Sequence, residues 1–581
     1  MSRVPSVAPF GTWQSPISAH LAVERTVHFV EAESDAGHIY WIEERAQEDG
    51  RAVVMHESPD GSVHELPPPW SARSSVYGQG GGAITIHQGI LYFVAAHDQR
   101  IYRVSPGLSP VPVTAEGPVR FGGLVSDPHH NRLIAVREVL TGGRWRCALV
   151  SIDSDPSQPW GRPLLEGGKR LSRVALSPDG TTIAWIQWPE SQDPRSSSAL
   201  MKAAVGDDGG LSNPMVVSHT EEESVGQPLW SPDNHLFFLS DKNGWWNLYE
   251  WDGGMSRPVT ALHSDFGDAG LPLAQQTYTF LNAERLIAAY WLDGRAKLVS
   301  IDRKSREMSH LPSPFSAIFH LKAANQGVLV LAAQDQVPGT VSWLNISSQR
   351  YRTVRRAPVL PVDEGEIAVA EPVTFPLDNR QLGHAFYYPP RSADYIPPEG
   401  EDPPVIVRLH PRSQGRSDVR FLPEVHFWTT RGFAVVDFNY RGSTGYGRAY
   451  RIPSANPMHD LGALIRFLAR HHKADCERVI LHGFEEAAAL IMKPSTSGRG
   501  FRTGSIMAED GPPTDAACDL PMLWITPNAI QTLGAVPDVG TPTEHLNGRA
   551  QWQQRVLESQ LRLYAQVLGI RLPLTVRHPR H

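Results

Sequence analysis

The sequence predicts a β-propeller of seven blades over residues 1–360, followed by an α/β domain over residues 361–581. Three observations carry that expectation. The first half is a succession of short apolar runs of period two, the mark of strands. Within it a turn phrase returns at intervals of about 50 residues, the length of one propeller blade. Beyond the stretch from Pro358 to Gly365 the apolar runs become continuous and alternate with helical periodicity, as in a sheet covered on both faces. A chain of 581 residues is also too long for one core.

In the first half the strands are legible in His38-Ile39-Tyr40-Trp41-Ile42, Ile90-Leu91-Tyr92-Phe93-Val94, Leu133-Ile134-Ala135-Val136 and Leu236-Phe237-Phe238-Leu239. The turn phrase is Ser126-Asp127-Pro128, then Ser177-Pro178-Asp179-Gly180, then Ser231-Pro232-Asp233-Asn234, with successive starts 51 and 54 residues apart. Proline sets φ for the first turn position, while Asp, Asn and Gly tolerate the reversal. Trp185, Trp188, Trp230, Trp245, Trp246, Trp251 and Trp291 are expected to fill the space between stacked blades.

In the second half, Val405-Ile406-Val407-Arg408-Leu409 and Phe433-Ala434-Val435-Val436-Asp437-Phe438 read as strands of a parallel sheet. Leu461, Leu464, Ile465 and Leu468 recur at helical steps, and Val479-Ile480-Leu481 is the next strand. Trp552, Val556, Leu563, Tyr564, Val567 and Leu568 lie on one face of a helix that stops at Gly569. Residues 491–520, with 4 Gly and 3 Pro, read as loop, so this domain is expected to be trimmed.

Composition excludes several classes. The formal charge of −7 is spread without long single-sign runs, which argues against a nucleic-acid surface. No 18 apolar residues run together and the N-terminus lacks the pattern of a signal peptide, so no membrane is expected. Cys147, Cys476 and Cys518 are too few and too scattered for a disulfide framework or a metal knuckle, which fits a cytoplasmic protein. The 24 histidines show no HExxH spacing, and no metal or other cofactor is expected.

Several phrases resemble a known family. Ala8-Pro9-Phe10-Gly11-Thr12-Trp13-Gln14-Ser15-Pro16-Ile17, Asn243-Gly244-Trp245-Trp246-Asn247-Leu248-Tyr249, His384-Ala385-Phe386-Tyr387-Tyr388-Pro389-Pro390 and above all the run from Arg431 to Gly447, RGFAVVDFNYRGSTGYG, are similar to prolyl oligopeptidase family serine peptidases in the acylaminoacyl-peptidase branch. The resemblance implies a propeller capping an α/β-hydrolase domain, with a Ser-His-Asp triad between the two in active relatives and access limited to short peptides.

The residues at the family's catalytic positions depart from that pattern. A GxSxG elbow exposes its serine on a sharp strand-to-helix turn. Here the strand runs into Gly483-Phe484-Glu485-Glu486-Ala487, with Glu485 in the serine position when read without gaps and Phe484 there on a shift of one residue. The HGGP-like turn that supplies an oxyanion donor is His410-Pro411-Arg412-Ser413, and Pro411 has no N–H to give. No acid follows Pro527 until Asp538, and the chain stops about where the histidine belongs, leaving His578 and His581 as positional substitutes.

The expectation is therefore a pseudoenzyme that binds between its domains. Glu485, Arg412, Tyr440 and Arg441 are candidate ligand contacts, and His410, Pro411 and Glu486 mark the oxyanion region. A short peptide or an amine-bearing small molecule is the expected ligand, and the chain is expected to self-associate or to pair with a homologue. Glu485 and Glu486 also suit the start of a helix, whose dipole favours acids. The rival readings are an atypical hydrolase of short peptides, acyl-amino acids or a small metabolite that uses Glu485 as nucleophile or base, and a non-catalytic subunit of an active homologue.

Overall fold

The structure, a computed structural model, describes residues 4–24, 26–105, 107–153, 157–269, 273–411, 415–452, 457–484, 487, 501–508, 521–526, 529–533 and 549–573. Seven antiparallel sheets follow one another between Val27 and Arg356, each made of consecutive strands. Blades one to seven occupy residues 27–65, 84–112, 119–166, 169–218, 225–258, 278–311 and 317–356. Blade four carries an extra short strand, Ala175–Leu176.

Large side chains cement neighbouring blades as expected. Trp185 packs with Ile134 and Val136 between blades three and four, and Trp188 with Phe238 between four and five. Trp246 packs with Tyr278 between five and six, and Trp291 with Ile318 between six and seven. Trp41 meets Leu329 and Leu331 where blade seven closes on blade one. Trp245 is the exception, since it is only half-buried and lies against Gly447 of the second domain. In the turn phrases, Ser177 and Ser231 donate from Oγ to Asp179 and Asp233, both at 2.6 Å, while Gly180 and Asn234 take the left-handed conformation.

Close backbone approach near the axis makes one glycine indispensable. Gly82 has φ +60, and a Cβ there would lie 2.4 Å from the Cα of Gly123. Gly82→Ala is expected to cost about 2–4 kcal/mol of stability, read from urea unfolding, because strain and overlap with backbone add.

The second domain holds one eight-stranded sheet. Its strands are β1 (Glu371–Pro376), β2 (Leu382–Tyr388), β3 (Val405–Leu409), β4 (Ala434–Asn439), β5 (Val479–Phe484), β6 (Phe501–Met507), β7 (Met522–Thr526) and β8 (Ala529–Leu533). Their order is β1-β2-β4-β3-β5-β6-β7-β8, with β4, β3, β5, β6 and β7 parallel. One face is covered by α1 (Ala19–Glu24), α2 (Pro423–Thr429) and α4 (Arg549–Leu568), the other by α3 (Pro457–Arg470). The apolar stripe of α3 is buried at Leu461, Leu464, Ile465 and Leu468, and α4 ends before Gly569 at φ +66.

Two sequence expectations need correction. Residues 491–520 are not loop throughout, because β6 lies within them. Its buried positions Thr503 and Ser505 are polar and are satisfied from distant segments, by Pro521 O and by Gln560 and Tyr564, so the strand shows no apolar run. Strands β7 and β8 are two residues apart in sequence and pair antiparallel, since a parallel crossover would need a dozen or more residues. Finally, residues 4–24, placed with the propeller by the division at 360, pack on the second domain. Ser6–Val7 pairs in parallel with Tyr395–Ile396, and Ile17, Ala19, Ala22 and Val23 join the core that holds Trp428 and Tyr564.

Candidate functional site

Register places the carboxyl ends of three central strands side by side, since Leu409 pairs with both Phe438 and Gly483. In an open α/β sheet this edge is where ligands bind. His410 and Pro411 follow β3, Tyr440 and Arg441 follow β4, and position 485 follows β5. Glu485, Glu486, Arg412, Asp538, His578 and His581 lie outside the described residues.

His410 is buried and fully engaged. Its Nδ1 lies 2.8 Å from the carbonyl of Pro411, which can only accept, so Nδ1 carries the proton. Nε2 therefore accepts the hydroxyl of Ser443 at 2.7 Å. Burial pushes the imidazole down to about 4, with a further contribution from the charges of Arg195 and Arg416. The ring stacks on Tyr440 at 4.8 Å between centroids, and Tyr440 donates its hydroxyl to His410 O at 3.0 Å. Ser443 and His410 thus form a hydroxyl–imidazole pair of the chemistry a nucleophile and base require, but Ser443 has no exposed surface. The pair braces the loops after β3 and β4. Sequence reading missed it because the two residues are 33 positions apart and no spacing rule links them.

Tyr440 and Arg441 are not open ligand contacts. Tyr440 is used as described, and Arg441 turns to α3, where Nε donates to both carboxylate oxygens of Asp460 at 2.9 and 3.0 Å and Nη1 donates to Gln381 at 3.1 Å. Asp460 is fully buried, so its charge holds the guanidinium in place.

The propeller meets the same edge through carboxylates. Asp241 of blade five is fully buried, accepts Ser224 N at 2.6 Å, and takes Arg448 Nη1 at 2.8 Å and Arg451 from the loop after β4. Arg451 also lies over the Trp246 ring, 3.7 Å from its centroid. Asp265 accepts backbone N–H groups from Trp246 at 2.9 Å, Gly445 at 3.0 Å and Gly447 at 3.3 Å. Arg416 lies over Trp291 at 3.9 Å and donates to Asp418 at 2.7 Å. The RGSTGYG phrase is thus the segment that the propeller grips. Among the described residues no group of His, Cys, Asp and Glu is arranged to hold a metal ion, and no helix is long and apolar enough to cross a membrane.

A propeller set over the carboxyl edge of an α/β-hydrolase sheet is the architecture of prolyl oligopeptidases. Residues 419–484 match the model of the prolyl oligopeptidase family. A search of curated proteins finds no match. Among solved structures, the chain is similar to a puromycin hydrolase at 24% identity and a TM-score of 0.86, covering 99% of both chains. It is equally similar to a Mycobacterium tuberculosis puromycin-hydrolyzing peptidase, at 24% identity, a TM-score of 0.87 and 99% of both chains. The acylaminoacyl peptidase of Pyrococcus horikoshii matches at 14% identity and a TM-score of 0.59, over 85% of this chain and 79% of that one. The family resemblance is thus present in the sequence of residues 419–484 and in the fold of the whole chain.

Proposed function

We propose that this chain is a prolyl oligopeptidase-type scaffold that binds a short peptide or an amine-bearing small molecule between its domains without the family's serine hydrolysis. The observation that carries the reading is the sequence at the strand ends: β5 runs through Gly483-Phe484 into Glu485, where the family has its serine, and Pro411 beside it has no N–H for an oxyanion. Ser443, a hydroxyl at that edge, is committed to His410 and sealed. Glu485 supplies an anion for an amine. A reducing, cytoplasmic setting fits the free thiols of Cys147 and Cys476.

The titration partners are puromycin, which is the namesake substrate of the similar hydrolases, and one tripeptide with free and acetylated N-termini. Calorimetry is expected to show that Glu485→Gln weakens the two amine ligands about tenfold and leaves the acetylated peptide unchanged. Equal binding of all three by both proteins would remove Glu485 from the site.

A further inference from the structure

We propose that Arg173 is a strut across the propeller axis, which bars the axial channel and holds the seam between blades one and seven. Blades one and four are three apart in a ring of seven and so face each other across the axis. Arg173, in the short segment between the strands Lys169–Leu171 and Ala175–Leu176 of blade four, donates from Nη2 to Glu33 Oε1 of blade one at 2.9 Å. A contact between opposite blades can only pass through the middle. Lys322 of blade seven holds the other oxygen of Glu33 at 2.6 Å, so one carboxylate ties blades four, one and seven together. Burial alone would raise Glu33, yet Lys322 and Arg173 hold it down to about 2, so it is ionised in the folded protein.

The surroundings fill the same space. His320 of blade seven lies 3.1 Å by Nε2 from the carbonyl of Ala32, and Glu31 accepts Ala83 N of the segment leading into blade two at 3.0 Å. A second crossing lies nearby, where Leu273, ahead of blade six, donates its N–H to Gly80 O, ahead of blade two, at 3.0 Å. With these two contacts crossing the axis, a ligand reaches the interdomain space from the side, between the domains.

The strut matters because the ring has no strand shared between its ends: blade one is built from residues 27–65 alone and blade seven from 317–356 alone. The seam's other contacts are the Trp41 cluster, Ser34 Oγ to Ala323 O at 2.7 Å, Asn325 Nδ2 to Gly37 O at 3.3 Å, and the pairs Arg352–Glu57 and Arg355–Glu43, whose arginines are about half-exposed and whose carboxylates are buried. Arg173 is the less exposed cation, and removing it leaves the buried carboxylate of Glu33 short of a partner.

Hydrogen exchange read by mass spectrometry on the full chain tests this. In Arg173→Ala, peptides covering 27–35 and 317–324 are expected to exchange about tenfold faster or more, with blades two, three, five and six at wild-type rates. Glu33→Gln, which keeps the shape and removes the charge, is expected to give the same local pattern should the alanine variant fold poorly. Arg120→Ala, which breaks a pair with Glu138 inside blade three, is the control and should leave the seam unchanged. Wild-type seam rates in both axial variants, or equal acceleration in all seven blades, would overturn the strut.

Discussion

Asp241→Ala is expected to destabilise the protein by about 3–5 kcal/mol, because it leaves the guanidinium groups of Arg448 and Arg451 facing each other without their carboxylate. Asp241 has no exposed surface and Arg451 is 3% exposed, so water cannot take the place of the lost partner. Burial already lowers Arg451 from its ordinary range while Asp241 and Asp265 oppose that shift, and removing Asp241 leaves only Asp265 to oppose it. Ser224 N also loses its acceptor. The loss should appear in urea unfolding followed by fluorescence, since Trp246 stacks on Arg451. Asp241→Asn should fall between wild type and alanine, as it keeps one acceptor and loses the charge. A change below about 1 kcal/mol for alanine would show that the carboxylate does not join the domains.

The second large effect concerns Glu31 and depends on pH. Burial is the main cause that raises its carboxyl from 4.5 to about 7, with Glu33 adding to the rise and Arg173 and the N–H groups of Ala83 and Ile84 opposing it. Oε1 is buried and accepts no hydrogen bond. An acid whose folded-state value is raised binds its proton more tightly when folded. Its contribution is therefore most favourable below pH 4.5, falls as pH rises from 4.5 through 7, and is a full penalty above 7. Glu31→Gln mimics the protonated form, keeps an acceptor for Ala83 and does not titrate. The variant should match wild type below pH 4.5 and exceed it by about 3 kcal/mol at pH 8, because a carboxyl raised from 4.5 to about 7 is ionised in both states there. His320, buried and lowered to about 4, titrates in the opposite sense but is common to both proteins, so the difference between them isolates Glu31. A difference that is constant between pH 5 and pH 8 would contradict the assignment.

The seven blades were legible because period-two strands and turn chemistry are local: Ser177 and Asp179 bond within their own turn, as do Ser231 and Asp233. The same holds for α3 and α4, whose apolar stripes and terminal Gly569 are written in consecutive residues. What escaped is non-local. Strand β6 hides its burial because Ser505 and Thr503 are satisfied by residues up to 59 positions away. The return of residues 4–24 to the second domain depends on Ser15 Oγ meeting Thr430 Oγ1 across 415 positions at 2.7 Å. Arg441 looked like a ligand contact because it neighbours the strand end, and only the fold shows that Asp460 claims it. The brace of Ser443 on His410 likewise required the fold.

The measurement that bears most directly on the central claim is intact-mass spectrometry after incubation with a fluorophosphonate, alongside an assay of acyl-amino-acid p-nitroanilides. A serine activated by a base and served by an oxyanion hole becomes phosphonylated, and an ordinary serine does not. The expected result is an unshifted mass and no p-nitroaniline, for wild type and also for Glu485→Ser, since one restored hydroxyl does not rebuild a unit that also needs its histidine, acid and oxyanion donor. Stoichiometric labelling of a serine between 365 and 581 in the wild-type chain, with release of p-nitroaniline, would contradict the account.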